Sequence, residues 1–363
     1  MASPVDNAAG KELPANDIFI RVEGHVGRLT LRRPQALNAL SHDMSLKIET
    51  ALLEWLSDDA VSLVMIDAEG EKAFCAGGDV AVLYNQGIAG DVDSGRQFWR
   101  DEYRLNALID RYTKPYVAIM DGITMGGGIG ISAHGSHRIV TERSSLAMPE
   151  CSIGLVPDVG GTHLLSRSSG HLGEFLALTG TRMKASDALF AGFADYHVPV
   201  ESLKALKQAL VDSGDVNVID SFHETPSTSS ALAEDAQEIN RIFGADTLAI
   251  VLSKLEKLKQ DWAMSALNKI GYASPLALRL AFDLVRAARS EPGIEKALIR
   301  EYRFVSRAME SCDILEGIRA ALIDRDRNPS WKHASIAEVP QELIDQLKDA
   351  SPGGDPVFTS LQG

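Results

Sequence analysis

The sequence has three cysteines, Cys75, Cys151 and Cys312, and none lies close to another. An odd, scattered set builds neither a disulfide framework nor a zinc site, so a reducing compartment and no bound metal are expected. No uninterrupted apolar run approaches the ~18 residues a membrane span requires, so no membrane partner is expected either. Basic residues are in deficit: 36 Lys and Arg against 50 Asp and Glu leave a net charge of −14. That balance argues against nucleic acid or an anionic membrane surface as the main partner. It leaves room for an anionic ligand held by a local basic cluster. No repeat of the solenoid kind is present. The first sixteen residues, MASPVDNAAGKELPAN, have neither the apolar stretch of a secretory signal nor the arginine bias of a transit peptide. The expectation is a cytoplasmic protein whose residues 1–15 form a flexible arm. A mitochondrial matrix protein whose leader has been removed is the alternative.

What is present is an ordinary globular balance, 45% apolar and 24% charged over 363 residues, enough for a large core. Alternation at Ile18, Ile20 and Val22, then at Leu29 and Leu31, predicts a hairpin. Ser41 is a candidate N-cap for an amphipathic helix over 42–56, marked by Met44, Ile48, Leu52 and Trp55. Residues 61–66 are almost continuously apolar and read as a strand covered on both faces. Two segments then share one grammar. Phe74-Cys75-Ala76-Gly77-Gly78 and Met125-Gly126-Gly127-Gly128 each follow a strand and precede a helix, so each can bring bare backbone N–H groups close to a ligand. Residues 96–113 read as a helix carrying Glu102. Beyond Val198-Pro199 the period is helical, with helices over 234–262, 275–290, 293–310 and 313–324, a connection over 213–230, and a loosely ordered tail from Ser351. A compact core that carries the candidate site is assigned to 16–200 and a mainly helical C-terminal region to 201–363.

The residue types allow plainer explanations. The glycines can be tight turns with close helix packing. Glu150 can be a surface acid, Asp158 a turn former after Pro157, and Glu102 one more charge on a helix face. His134, His137 and His163 have no ligand spacing. Cys75 and Cys151 fit small packing positions. Arg32, Arg33 and Lys72 can meet phosphates or be ordinary surface charge.

Five segments in order change that balance: LRRPQALNAL (31–40), FCAGGDV (74–80), GITMGGGIGIS (122–132), MPECSIGLVPDVGG (148–161) and FLALTG (175–180). Together they resemble the crotonase superfamily, closely over about 15–200 and more loosely to about 340. The resemblance implies an α/β spiral of ββα turns followed by a helical region. It implies an acyl-coenzyme A thioester as ligand, with coenzyme A part of the substrate and no separate cofactor. It places the oxyanion-binding N–H groups at Gly78 and Gly127. Hydratases of the superfamily use two glutamates, one matching Glu150 and one at the position of Gly130; the hydrolase branch pairs the acid at 150 with one at 158. Both are present, so Glu150 and Asp158 are the expected catalytic pair and Glu102 a substrate-binding residue. The implied activity is hydrolysis of 3-hydroxyisobutyryl-CoA, or a close β-hydroxyacyl-CoA, in valine breakdown. The rivals are an enoyl-CoA hydratase or isomerase using Glu150 alone and a non-catalytic acyl-CoA-binding protein. A homo-oligomer, trimer or hexamer, is a further implication. The chain departs from the hydrolase pattern at Thr162 to Arg167, where an aromatic and a proline are usual.

Overall fold

The computed structural model describes residues 17–358; the arm expected at 1–15 lies outside them. The alternating segments form an antiparallel hairpin, β1 (Ile18–Glu23) and β2 (Val26–Leu31). The Ser41 hydroxyl accepts the Met44 N–H and opens α1 (His42–Leu56), which buries Met44, Ile48, Leu52 and Trp55 at helical spacing. Next come β3 (Leu63–Ala68), β4 (Ala73–Cys75), α2 (Val80–Ile88) and α3 (Val92–Asp110). They are followed by β5 (Tyr116–Met120), β6 (Ile123–Met125) and the short α4 (Gly127–Gly130). A third turn has β7 (His137–Val140), β8 (Ser145–Ala147) and a 3₁₀ turn over Glu150–Ile153.

Three times, then, the chain lays one strand in a large sheet, the next in a small one, and turns into a helix. The large sheet has the order β1-β2-β3-β5-β7-β9, with β9 at Tyr196–His197, and the small one β4-β6-β8. All pairings except β1–β2 are parallel. This is the α/β spiral that the resemblance implied. Because β4 and β6 are neighbours, the two glycine turns that follow them come side by side.

Between β8 and β9 lie α5 (Gly161–Arg167), α6 (Leu172–Thr179) and α7 (Ala185–Ala191). After β9 the elements are α8 (Leu203–Ser213), α9 (Ala231–Phe243), α10 (Leu248–Leu255), α11 (Asp261–Tyr272), α12 (Pro275–Ser290), α13 (Ile294–Ser311), α14 (Ile314–Ile318) and α15 (Gln341–Lys348). The pattern over 234–262 is three helices rather than one. Gly244 ends the first, and the Thr247 hydroxyl caps the next by accepting the Ile250 N–H. Apolar period runs through such breaks unchanged, which is why it does not reveal them. The tail also differs from expectation as far as it is described. Ser351 is buried, and Asp355 pairs with Arg303 of α13 at 2.7 Å. One apolar cluster runs from Leu83 and Tyr103 through α5, α6 and α9 to α15, so the C-terminal helices share a core with the elements that carry the glycine turns.

On the far side, Asp67 of β3 ties α8 to the sheet. It is buried and accepts from Arg28 and Lys207 at 2.8 Å each and from the Thr30 hydroxyl at 2.6 Å. Burial alone would push its carboxyl up, but Lys207 and Arg28 more than offset this and hold it below the usual range. Its contribution is therefore present above the unfolded value and is lost as pH falls through the lower folded one. Asp67→Ala leaves two cations facing each other and is expected to cost about 2–3 kcal/mol at pH 7 in urea unfolding. The difference from wild type should shrink below about pH 3.5.

Candidate active site

Each glycine turn has a free N–H for a stated reason. Gly78 forms a parallel bridge with Leu40, in which Leu40 N–H donates to Gly77 O at 2.8 Å and Asp79 N–H to Leu40 O at 2.9 Å. The bridge uses the groups flanking Gly78, so its own N–H faces the other way. Gly127 is the first residue of α4, and a first-turn N–H has no acceptor within its helix. A Cβ at Gly127 would lie 3.2 Å from Gly78 N and 2.7 Å from Glu102 Oε1. The two amides and the acid thus meet at one spot, and only glycine fits there.

The LNAL segment holds the first turn in place. Leu37 and Asn38 are left-handed, with φ 51 and 54. The buried Asn38 amide donates to Glu69 O and Ala73 O at 2.9 Å each, and its oxygen accepts the Arg33 N–H at 2.8 Å. Arg33 itself reaches Ala39 O at 2.8 Å and Asp79 at 3.1 Å, so its structural task is local. Arg32 pairs with Glu69.

Glu102 and Tyr103 come from the inward face of α3, Glu150 from the 3₁₀ turn after β8, and Asp158 from the segment before α5. Glu102, Glu150 and Asp158, together with Gly78 and Gly127, line one cavity of about 140 Å³, whose apolar walls include Phe98, Trp99, Leu155 and Val159. All five residues singled out from the sequence are therefore brought together. The three acids are 2–4% exposed, and neither lysine nor arginine lines the cavity. Glu102 Oε1 and Glu150 Oε2 have no hydrogen-bond partner, whereas Asp158 accepts from the Tyr103 hydroxyl at 2.9 Å. A Cβ at Gly126 would lie 3.0 Å from Glu150 Oε1.

Burial pushes the Glu102 and Glu150 carboxyls well up, and the nearby Asp158 pushes both further. Asp158 is raised by burial to about 7, with the Tyr103 hydrogen bond opposing the rise. Three mutually repelling acids without a counter-cation make a proton-rich site.

Cys75, Cys151 and His134 sit as buried packing groups. Cys75 is fully buried and its thiol is pushed up to about 12 by burial, which leaves no thiolate nucleophile at neutral pH. Cys151 is likewise buried and raised. His134 is lowered to about 4 by burial and contacts Val159 O at 2.8 Å. Among the described residues no three His, Cys, Asp or Glu side chains converge as metal ligands, and no helix is long and apolar enough to cross a membrane.

Two residues at the site were not found from sequence: Tyr103, which bonds Asp158, and Glu301 of α13, whose carboxylate accepts from Gly160 N–H at 2.8 Å and Thr162 N–H at 3.0 Å. Tyr103 adjoins Glu102 and was within reach of a helical-face argument. Glu301 lies about 140 residues from its partners and left no local signal.

The family profile described as enoyl-CoA hydratase/isomerase matches residues 26–347. The chain belongs to this family, the crotonase superfamily. Among curated relatives it is similar to the mitochondrial 3-hydroxyisobutyryl-CoA hydrolases of Gallus gallus and Homo sapiens. The chicken protein is 39% identical over 91% of this chain and 88% of its own length, the human one 37% identical over 90% and 87%. Among solved structures it is similar to one titled an enoyl-CoA hydratase from Rhodobacter sphaeroides 2.4.1, with TM-score 0.89 and 46% identity over 94% of this chain and all of that one. It is also similar to one titled a carnitinyl-CoA dehydratase from Mycobacterium thermoresistibile, with TM-score 0.89 and 41% identity over 93% and 98%.

Gly130, where hydratases carry their other glutamate, is buried on α4. A Cβ there would lie 2.7 Å from Asn106 Nδ2 and 2.8 Å from Val159 Cβ. Gly130→Glu is expected to lose about 1–3 kcal/mol in denaturant unfolding through overpacking and to gain no hydration of crotonyl-CoA. Glu102→Gln should show the opposite stability effect. A carboxyl whose folded value is raised stabilises the fold below its unfolded value and loses that contribution as pH rises. The variant should therefore melt a few degrees above wild type at pH 8, with the gain vanishing near pH 4, as read by differential scanning calorimetry.

Proposed function

We propose that the protein hydrolyses an acyl-CoA thioester, 3-hydroxyisobutyryl-CoA or a close β-hydroxyacyl-CoA, as in valine breakdown. The observation that carries this reading is the convergence of Glu150 and Asp158 with Gly78 and Gly127 in one cavity, while the space beside Gly130 is filled. The curated relatives bear the hydrolase name. The structural neighbours bear hydratase and dehydratase titles, but hydration calls for a second acid where Gly130 leaves none.

In the proposed reaction the thioester oxygen sits between the Gly78 and Gly127 N–H groups. Fixed dipoles meet the negative charge that develops there, and losing one such donor typically costs ~2.7–4 kcal/mol of transition-state stabilisation. Glu150, as carboxylate, either attacks the carbonyl carbon to give an anhydride or takes a proton from the water that attacks it. On both routes the C–S bond breaks, water supplies the new oxygen and a proton, and the products are a carboxylate and the CoA thiol. Asp158, oriented by Tyr103, aligns Glu150 or the water. The unpartnered Glu102 Oε1 supplies an acceptor for the β-hydroxyl. The relatives named above are mitochondrial enzymes, which supports the matrix alternative over the cytoplasm.

Thiol release from 3-hydroxyisobutyryl-CoA tests the proposal, with crotonyl-CoA hydration followed in parallel. Wild type should release thiol and not hydrate. Glu150→Gln should lose roughly 10²–10⁴-fold in kcat and Asp158→Asn about 10²-fold. Since burial and Asp158 both raise Glu150, the acid limb of kcat/KM should lie above the ordinary carboxylate range and move to lower pH in Asp158→Asn. Hydration without thiol release would return the chain to the hydratases.

A further inference from the structure

We propose that Glu301 is a positioning residue for the hydrolysis, holding the turn that aims Asp158 into the cavity and setting the charge that Asp158 experiences. This rests on the thioesterase reading, in which Asp158 is catalytic.

The turn after Asp158 is conformationally demanding. Val159, a β-branched residue, has φ 53, and Gly160 follows with φ 75. Left-handed valine persists only where its surroundings over-determine it. The constraints are few and specific. The Gly160 and Thr162 N–H groups and the Thr162 hydroxyl all donate to the Glu301 carboxylate. The Val159 carbonyl bonds the His134 ring, and Gly161 N–H donates to Asp158 O at 2.6 Å. Glu301 is wholly buried on α13, so a helix of the C-terminal region clamps the segment that carries a candidate catalytic acid.

A neutral acceptor could hold the same turn without burying a charge. A carboxylate does something more, because it faces other acids. The groups gathered around Asp158 are Tyr103 and Glu102 from α3, Glu150 from the 3₁₀ turn and Glu301 from α13; beyond Val159 stands His134. Glu301 is raised by burial to about 7, its bonds from Thr162 and Gly160 oppose the rise, and Asp158 adds to it. It also pushes Glu150 up. The clamp therefore couples the geometry of the turn to the ionisation of the site.

The test follows the Asp158 carboxyl directly. Protein labelled with ¹³C at the aspartate carboxyl is titrated by NMR, with the Asp158 signal assigned by its loss in Asp158→Asn. In Glu301→Gln a negative neighbour is gone, so the Asp158 midpoint should fall by about half a unit or more. The acid limb of the pH–rate profile should shift the same way. Thiol release should lose about tenfold or more in kcat, with KM changed less than about twofold. Thr162→Val keeps the carboxylate but removes a donor that favours its charged form. It should lower the midpoint in the same direction by less, and it serves if Glu301→Gln fails to fold. An unchanged Asp158 titration and acid limb in the variants that fold, with only the melting temperature lowered, would make Glu301 a stability cap and overturn the proposal. Absence of thiol release by wild type would overturn the thioesterase reading instead, and the titration, which needs no substrate, would still report on the clamp.

Discussion

The close approach of two glycine turns is the constraint on which the rest depends. β4 and β6 lie side by side in the small sheet, each ends in glycines, and the place of a Cβ on Gly127 is 3.2 Å from the nitrogen of Gly78. No other residue type allows two backbones and an acid to meet at that distance. The surrounding sequence serves this contact. Asn38 ties its loop to Ala73 of β4, Leu40 N–H donates to Gly77 O, and Cys75, fully buried, is a wall against which Gly128 packs. The large sheet and its helices supply the rigidity that keeps both N–H groups aimed at a common point, which fixed dipoles need if they are to act without reorganisation.

Around that point the chain buries several acids close to one another. Glu102, Glu150 and Asp158 share a small cavity with no cation, and Glu301 lies just behind. Their carboxyls are all raised, so the fold holds protons that the unfolded chain would release. Two buried acids elsewhere in the chain are paired with cations. Glu174, fully buried, receives Arg289, and Asp67 receives Arg28 and Lys207. The contrast separates acids that join elements from acids kept unpaired, and unpaired buried acids are characteristic of sites that bind or move protons.

Much of this was legible in the sequence, and the reasons are local. Ser41 before a helical period marks the start of α1 because capping acts within one turn. The glycine runs mark the two turns because steric freedom is a property of single residues. Glu150, Asp158 and Glu102 were legible as types, but their convergence came from the resemblance, since no periodicity brings residues 102, 150 and 158 together. Tyr103 and Glu301 escaped because their meaning is tertiary. A glutamate on α13 reads as surface charge until the turn at 159–162 is packed against it. The breaks at Gly244 and before Asp261 escaped because apolar spacing continues across them.

The turn at Val159 links the two questions of which acid is aimed and which is excluded. The fold alone does not choose between hydrolysis and hydration, since neighbours titled as a hydratase and a dehydratase superimpose equally well. In this chain the space beside α4 is filled. With φ 53, Val159 turns its side chain toward Gly130, so that Cβ and Cγ2 lie 2.8 and 3.1 Å from where a Cβ on Gly130 would be, and Asn106 closes the other side. The same left-handed step carries the chain from Asp158, bonded to Tyr103, to Gly160, bonded to Glu301. One backbone conformation therefore presents an acid at 158 and fills the room that a glutamate at 130 would require.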